Sequence, residues 1–376
     1  MRGRPDRPQS FWYSIDVEDL VETDHPLRAI KRMVDEALKD MSRAFTAAYS
    51  STGRPGVAPE RLLKALLLQS LYSIRSEREL CRRLKTDLLF RWFLDMAPDE
   101  EVFVPTVFTH NRDRLSEHGL TARFFEGVVR QAIDAGLASD EHFTVDGSLI
   151  QSHASLKSLK RIAREDEDGS DDPTPPKGGG PGRRSRNESV DFRGERRTNA
   201  THRSSTDPEA RLYRKGDTGA YLCHSMHALT ENRNGLVLAV TLDEANGHSE
   251  RTSALRLVKQ VRKRHGVKVG TLAADKGYDA EAFLSDLCGL GVQPHVALRA
   301  EAESGEARAI VRRMSRYRPY ALSQRKRKLV EELFAWLKTV SGLRRTRHVG
   351  RWKIKQQLEV AAAAFNLVRM VRLRVA

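Results

Sequence analysis

The sequence predicts an α/β (α+β) protein, with an all-α N-terminal domain over residues 1–138 and a mixed-sheet domain over residues 139–376. Three observations predict this. Apolar residues recur at helical spacing through residues 26–135. Near residue 141 the period shortens to that of strands. Beyond it come three strands, a helix, a strand, a helix, a strand and then helices, an order that implies a mixed sheet with helices on its faces.

Taken in order, Leu27, Ile30, Met33, Val34 and Leu38 mark the first amphipathic helix. Thr52-Gly53-Arg54-Pro55-Gly56 is a loop signal. Pro59 then opens a second helix, in the first turn where its missing N–H costs little. Its run RLLKALLLQSLY is apolar nearly all round, so the helix belongs inside a bundle. Ser76 followed by Glu79 has the spacing of a capping box and starts a helix through ERELCRRLKTDLLFRWFL. Two helices joined by a short turn fit a DNA-binding helix-turn-helix, although helical hairpins are common in any all-α domain.

The strands are FTVDGSLIQSH, GAYLCHSMHALTE and GLVLAVTLDE, the last two split by the hairpin turn Asn232-Arg233-Asn234-Gly235. The helix SERTSALRLVKQVRKRH, the strand VGTLAAD, the helix DAEAFLSDLCGLG and the strand VQPHVAL follow. Residues 157–210 interrupt this pattern. They hold almost no large apolar side chains but carry the acidic block Glu165–Asp168, a Pro-rich stretch and Gly178–Gly180, and they read as a polar linker or disordered insertion. The glycine run lacks the Gly-Lys-Ser/Thr ending of a phosphate-binding loop.

The chain has 376 residues, a net charge of +15 and a mean hydropathy of −0.54. Residues 306–376 hold 19 Lys and Arg against 4 Asp and Glu, while the first 305 balance at 46 of each. One basic segment beside a neutral remainder is the footprint of a polyanion partner, and nucleic acid fits it better than an anionic membrane, because the segment has the pattern of packed helix. No apolar run has transmembrane length, and the N-terminal residues lack the apolar region of a secretory signal. Cys81, Cys223 and Cys288 are too few and too far apart for a disulfide framework. Cys223-His224-x-x-His227 lacks the second cysteine a zinc site needs, so Cys223 reads as a buried strand residue.

Three carboxylates draw notice. Asp146 lies mid-strand in Thr144-Val145-Asp146-Gly147-Ser148, where a charge is costly to desolvate unless paired or metal-bound. Asp275 ends the strand Thr271–Ala274, at the carboxyl end where α/β proteins place ligand groups. Glu331 lies on the helix KRKLVEELFAWLKTV, and at about 100° per residue it shares a face with Arg327 and Lys338. Taken singly, each has an ordinary explanation: a strand-end Asp, a turn Asp, an i,i+4 ion pair. Together they offer a carboxylate cluster. Its mutual repulsion would be relieved by hard divalent cations, which suit phosphoryl chemistry.

At these residues the chain resembles the DDE transposases of bacterial insertion sequences, in the branch grouped with insertion sequences four and five. TVDGSLIQSHAS, around Asp146, resembles the family's first motif and AADKGYD, around Asp275, its second. Arg327, Glu331 and Lys338 match the spacing of its Tyr-x2-Arg-x3-Glu-x6-Lys signature, with Gln324 where the Tyr would stand. The segments DHPLRAIKRMVDEAL, GRPGVAPERLLKALLLQSLYSIRSERELCRRL, STDPEARLYRKG and EELFAWLKTVSGLRRTRH are similar to the family as well. The resemblance implies a ribonuclease-H-like catalytic core behind an all-α N-terminal domain that binds DNA ends or dimerises. It implies Asp146, Asp275 and Glu331 as catalytic metal ligands for two Mg²⁺ or Mn²⁺ ions, with DNA cleavage at element ends and strand transfer into target DNA. Arg327, Lys338, Lys276, Arg344, Arg345 and Arg347 are then the expected DNA-backbone contacts, with a homodimer bridging two ends at the bacterial nucleoid in the cytoplasm. Two alternatives stay open: a nuclease or resolvase of the same fold that cleaves without strand transfer, and an inactive transposase-derived DNA-binding protein.

Overall fold

Seven helices precede the first strand of the sheet in the computed structural model, which describes residues 16–50, 52–53, 56–162, 197–214, 219–246, 249–300 and 305–375. They are α1 (Pro26–Asp40), α2 (Ser42–Ala48), α3 (Pro59–Leu71), α4 (Glu77–Leu84), α5 (Leu88–Phe93), α6 (Thr106–Glu117) and α7 (Leu120–Asp134). The expected stripe of α1 is buried, and α3 buries Leu62, Leu63, Leu67 and Leu68 completely, each worth about 2 kcal/mol. Lys64, buried on α3, is answered by Asp35 and Asp95. Ser76 caps α4 by accepting the Glu79 N–H at 3.1 Å. The helix expected to run on through residue 94 instead breaks at Lys85–Asp87. There the Asp87 carboxylate accepts the Phe90 N–H and starts α5 as a new helix.

The sheet takes β1 (His142–Gln151), β4 (Arg211–Tyr213), β5 (Tyr221–Glu231), β6 (Val237–Glu244), β7 (Thr271–Ala274) and β8 (Gln293–Val296), while β2 (Leu159–Arg161) and β3 (His202–Ser204) form a separate ribbon. β5 pairs antiparallel with β1, and both β4 and β6 pair antiparallel with β5. On the other side of β1, β7 and then β8 run parallel to it. Three long antiparallel strands extended by two parallel ones give the ribonuclease-H-like sheet. The β5–β6 turn needs Gly235 at φ +66°, the left-handed conformation a glycine adopts without strain.

The connecting helices are α8 (Ser249–His265), α9 (Glu281–Gly289), α10 (Glu306–Met314), α11 (Arg318–Lys326), α12 (Leu329–Thr339) and α13 (Arg351–Val375). α13 lies between the two parts of the chain. It packs against α1, α3 and α7 on one side and against β6 and α12 on the other. Its run Ala361–Ala364 is wholly buried, small side chains letting the helix approach closely. The segments either side of residue 138 thus share one apolar core. Among the described residues, no helix is long and apolar enough to cross a membrane.

The polar stretch 157–210 is only partly the linker expected. β2 and β3 order its two ends, with Lys160 opposite Arg203, and Asp207 fastens the return to the sheet. Asp207 is fully buried, and its Oδ2 accepts from Ser152 Oγ at 2.7 Å and lies 2.9 Å from His224 Nε2. Sequence periodicity misses this anchor because it is polar. Residues 163–196, with the acidic block and the glycine run, lie outside the described residues.

Candidate active site

Asp146 stands near the middle of β1, opposite Ala228 of β5, and is half-buried. β7 pairs with β1 through His142–Thr271, Phe143–Leu272 and Thr144–Ala273. Continuing that register two residues brings Asp275 level with Asp146, where β7 ends. Each aspartate takes a neighbouring amide: Gly147 N–H donates to Asp146 Oδ1 and Gly277 N–H to Asp275 Oδ1, both at 2.8 Å. Asp275 thereby caps a short 3₁₀ turn, Lys276–Tyr278, which leaves Lys276 exposed beside the site.

Two features here went unnoticed in the sequence. The first is Glu250, in the first turn of α8. Its Oε1 lies 3.5 Å from where a Cβ on Gly147 would stand, and its Oε2 lies 3.7 Å from where one on Gly277 would stand. Gly147 could hardly be anything larger, since its Cβ would meet His227 Nδ1 at 2.8 Å. The second is Tyr278, 1% exposed, whose hydroxyl has no hydrogen-bond partner among the described residues. Burial holds its pKa well above the ordinary tyrosine value, and the charges of Glu250, Asp146 and Asp275 push it the same way. An acid in a first helical turn is so common that Glu250 carried no signal.

Glu331 is exposed in the first turn of α12, which packs against β1. The helix expected through residues 326–340 is stepped. Arg327 ends α11, and the Val330 and Glu331 amides bond three residues back, to Arg327 and Lys328. Such 3₁₀ tightening turns the chain by about 120° per residue instead of 100°, so the shared face of Arg327 and Glu331 is only approximate. The buried stripe of α12 is Val330, Leu333, Phe334 and Leu337. Trp336 packs edge-on against Phe365, with ring centres 5.7 Å apart, as a core residue. Glu332 is engaged elsewhere, with Arg369 at 3.0 Å.

Gln324, the departure from the signature, has a defined place. Its Nε2 donates to the carbonyls of Ala274, at 3.3 Å, and His295, tying the carboxyl ends of β7 and β8 together next to Asp275. Its Oε1 accepts from Arg327 Nε at 3.3 Å.

The basic residues separate into two kinds. Arg344 and Arg345 are exposed on a segment pinned to the end of β1: Gln151 N–H donates to Arg344 O, and Thr346 N–H to Gln151 O. With Lys338 and Arg75 they line a cavity of about 810 Å³ between α3 and α12. Arg347, expected as a DNA contact, lines the same cavity and also pairs at 3.2 Å with Glu77, which holds Arg112 as well. Arg351 is likewise committed, to Glu209, whose carboxylate accepts both its backbone N–H and its Nε.

Among the described residues, no group of three or more His, Cys, Asp or Glu side chains is arranged to hold a metal ion. Like-charged carboxylates repel, and each aspartate accepts a glycine amide, that of Gly147 or Gly277. The surroundings nevertheless suit a hard cation. The donors are carboxylate oxygens, the glycines leave room beside them, and the orphaned Tyr278 hydroxyl lies within their field.

A ribonuclease-H-like sheet with one aspartate on its central strand and another just past the end of the adjacent parallel strand fits a class of phosphoryl-transfer enzymes. The chain matches the family model described as Transposase DDE domain over residues 168–367, and the Transposase domain (DUF772) over residues 15–114. It belongs to the DDE transposase family and is a DNA transposase of the polynucleotidyl transferase type. The whole of β1, with Asp146, falls between the two matched stretches. Similar solved structures include a piggyBac transposase synaptic complex with hairpin DNA, 10% identical with a TM-score of 0.41, covering 93% of this chain and 76% of that one. A Mos1 mariner paired end complex with Mn is 12% identical with a TM-score of 0.21, covering 87% and 90%. The Mos1 strand transfer complex is 11% identical with a TM-score of 0.21, covering 83% and 86%. No curated protein matches the chain.

Proposed function

We propose that Asp146, Asp275 and Glu331 form the metal-holding catalytic set of this transposase, with two Mg²⁺ or Mn²⁺ ions as its cofactor. The observation that carries the reading is the parallel register bringing Asp275 level with Asp146 at the end of β7. Two such ions would activate an attacking oxygen and stabilise the leaving one. In the first step a water oxygen attacks phosphorus at the element end, and the P–O3′ bond breaks to leave a 3′-hydroxyl. In the second that hydroxyl oxygen attacks a target phosphodiester, a new P–O bond forms, and the target's own 3′ oxygen leaves as a hydroxyl.

The chain's own side chains position the DNA. Arg327, Lys338, Lys276, Arg344 and Arg345 contact phosphates, which fixes register without reading sequence. Arg347, paired with Glu77, lines the same cavity as Lys338, Arg344 and Arg345 and is a further phosphate contact. Residues 1–138 recognise the element ends, and a homodimer in the bacterial cytoplasm bridges two of them. The test is cleavage of a DNA fragment carrying the element end, with Mg²⁺, by wild type and by the Asp146→Asn and Asp275→Asn variants. Loss of cleavage with DNA binding retained supports the reading, and normal cleavage by either variant overturns it. Donor–target joints, separable on a gel, distinguish strand transfer from simple hydrolysis.

A further inference from the structure

We propose that Glu250 is a fourth carboxylate of the active site, ligating a divalent cation together with Asp146 and Asp275. The inference rests on the functional reading above, which does not include this residue. Three observations carry it. The Glu250 carboxylate spans the gap between β1 and the turn after β7, with one oxygen beside Gly147 and the other beside Gly277. Those glycines adjoin the two aspartates: Gly147 follows Asp146 directly, and Gly277 donates its N–H to Asp275. Finally, Tyr278 is buried in the field of these three carboxylates with its hydroxyl unsatisfied. A buried hydroxyl without a partner is costly, and a cation-bound water or a phosphate oxygen between the carboxylates would satisfy it.

The topology explains how a residue from α8 comes to be there. α8 follows β6 and packs across β5, β6 and β1, so its first turn opens towards β1 and the loop leaving β7. A carboxylate in that turn also complements the helix dipole. That ordinary role would affect stability alone, so the two roles are separable by experiment.

The experiment is calorimetric titration of Mn²⁺ into the full chain without DNA, for wild type, Glu250→Gln, Asp146→Asn and Asp275→Asn, with each variant's melting temperature measured. Glu250→Gln should weaken Mn²⁺ binding about tenfold or more. Wild-type affinity in Glu250→Gln, with or without a lower melting temperature, overturns the proposal while leaving the aspartates in place if their variants lose binding. Wild-type affinity in all three variants overturns the underlying reading too. A second measurement on wild type alone guards against misfolded variants: Fe²⁺ with ascorbate should cut the backbone near residues 147, 250 and 277. Cuts near 147 and 277 without any near 250 overturn the assignment of Glu250.

Discussion

Asp275, the residue that follows β7, and Asp146 on the neighbouring parallel strand β1 each lie two residues beyond the last pair of the ladder, Thr144 and Ala273. Because side chains alternate along a strand, a one-residue slip of β7 would turn Asp275 to the opposite face. Phe143, Val145 and Leu272, all fully buried, hold the register.

That relationship makes the two aspartates the most sensitive positions for catalysis. Asp146→Asn or Asp275→Asn should slow end cleavage by about a thousandfold or more, equivalent to about 4 kcal/mol of lost charge stabilisation. Single-turnover assays with gel-shift controls would read this. Glu331→Gln should match them and Glu332→Gln should not, because Glu332 serves Arg369. The reverse pattern would move the third role to Glu332.

Gln324 offers a separate check on the strand ends. Its amide ties the Ala274 and His295 carbonyls, so Gln324→Leu should cost about 1–2 kcal/mol in urea denaturation. An unchanged midpoint would show that these bonds contribute nothing.

The division of the arginines predicts opposite phenotypes. Arg344→Ala and Arg345→Ala should each lower the slope of log affinity against log salt by about 1, with little effect on folding. Arg351→Ala should leave the slope alone and destabilise by about 1 kcal/mol, through loss of its partly exposed pair with Glu209. Equal slopes in all three variants would remove Arg344 and Arg345 from the DNA surface.

Two histidines set an acid limit. Burial, helped by nearby Arg112, Arg347 and Lys353, lowers His348 to about 3, and burial with His142 lowers His295 to about 4. Both pKa values lie below the unfolded value, so the unfolded chain binds more protons in between. Their neutral forms therefore support full stability above about pH 6.5, and stability is lost as the pH falls from there towards 4 and 3. At pH 5 each histidine accounts for roughly 2 kcal/mol at most. His348→Gln should flatten the decline of melting temperature between pH 7 and pH 5. A parallel decline would assign the acid sensitivity elsewhere.

By itself the sequence determined the elements and their chemistry. Period and turn residues marked α1, α3, β1, β5, β6, α8, β7, α9 and β8 because each carries a local signal: a buried stripe, a cap, Pro59, Gly235. The motifs around Asp146 and Asp275, with the basic C-terminal segment, named the family that the domain match then showed. Only the tertiary structure decided what depends on contacts distant in sequence. It ordered the ends of the 157–210 stretch through buried Asp207, and turned Arg347 and Arg351 towards Glu77 and Glu209. It also carried Glu250 to the glycines beside the aspartates. Nothing local distinguishes that glutamate from any acid at a helix start, because its position comes from the packing of α8 across the sheet.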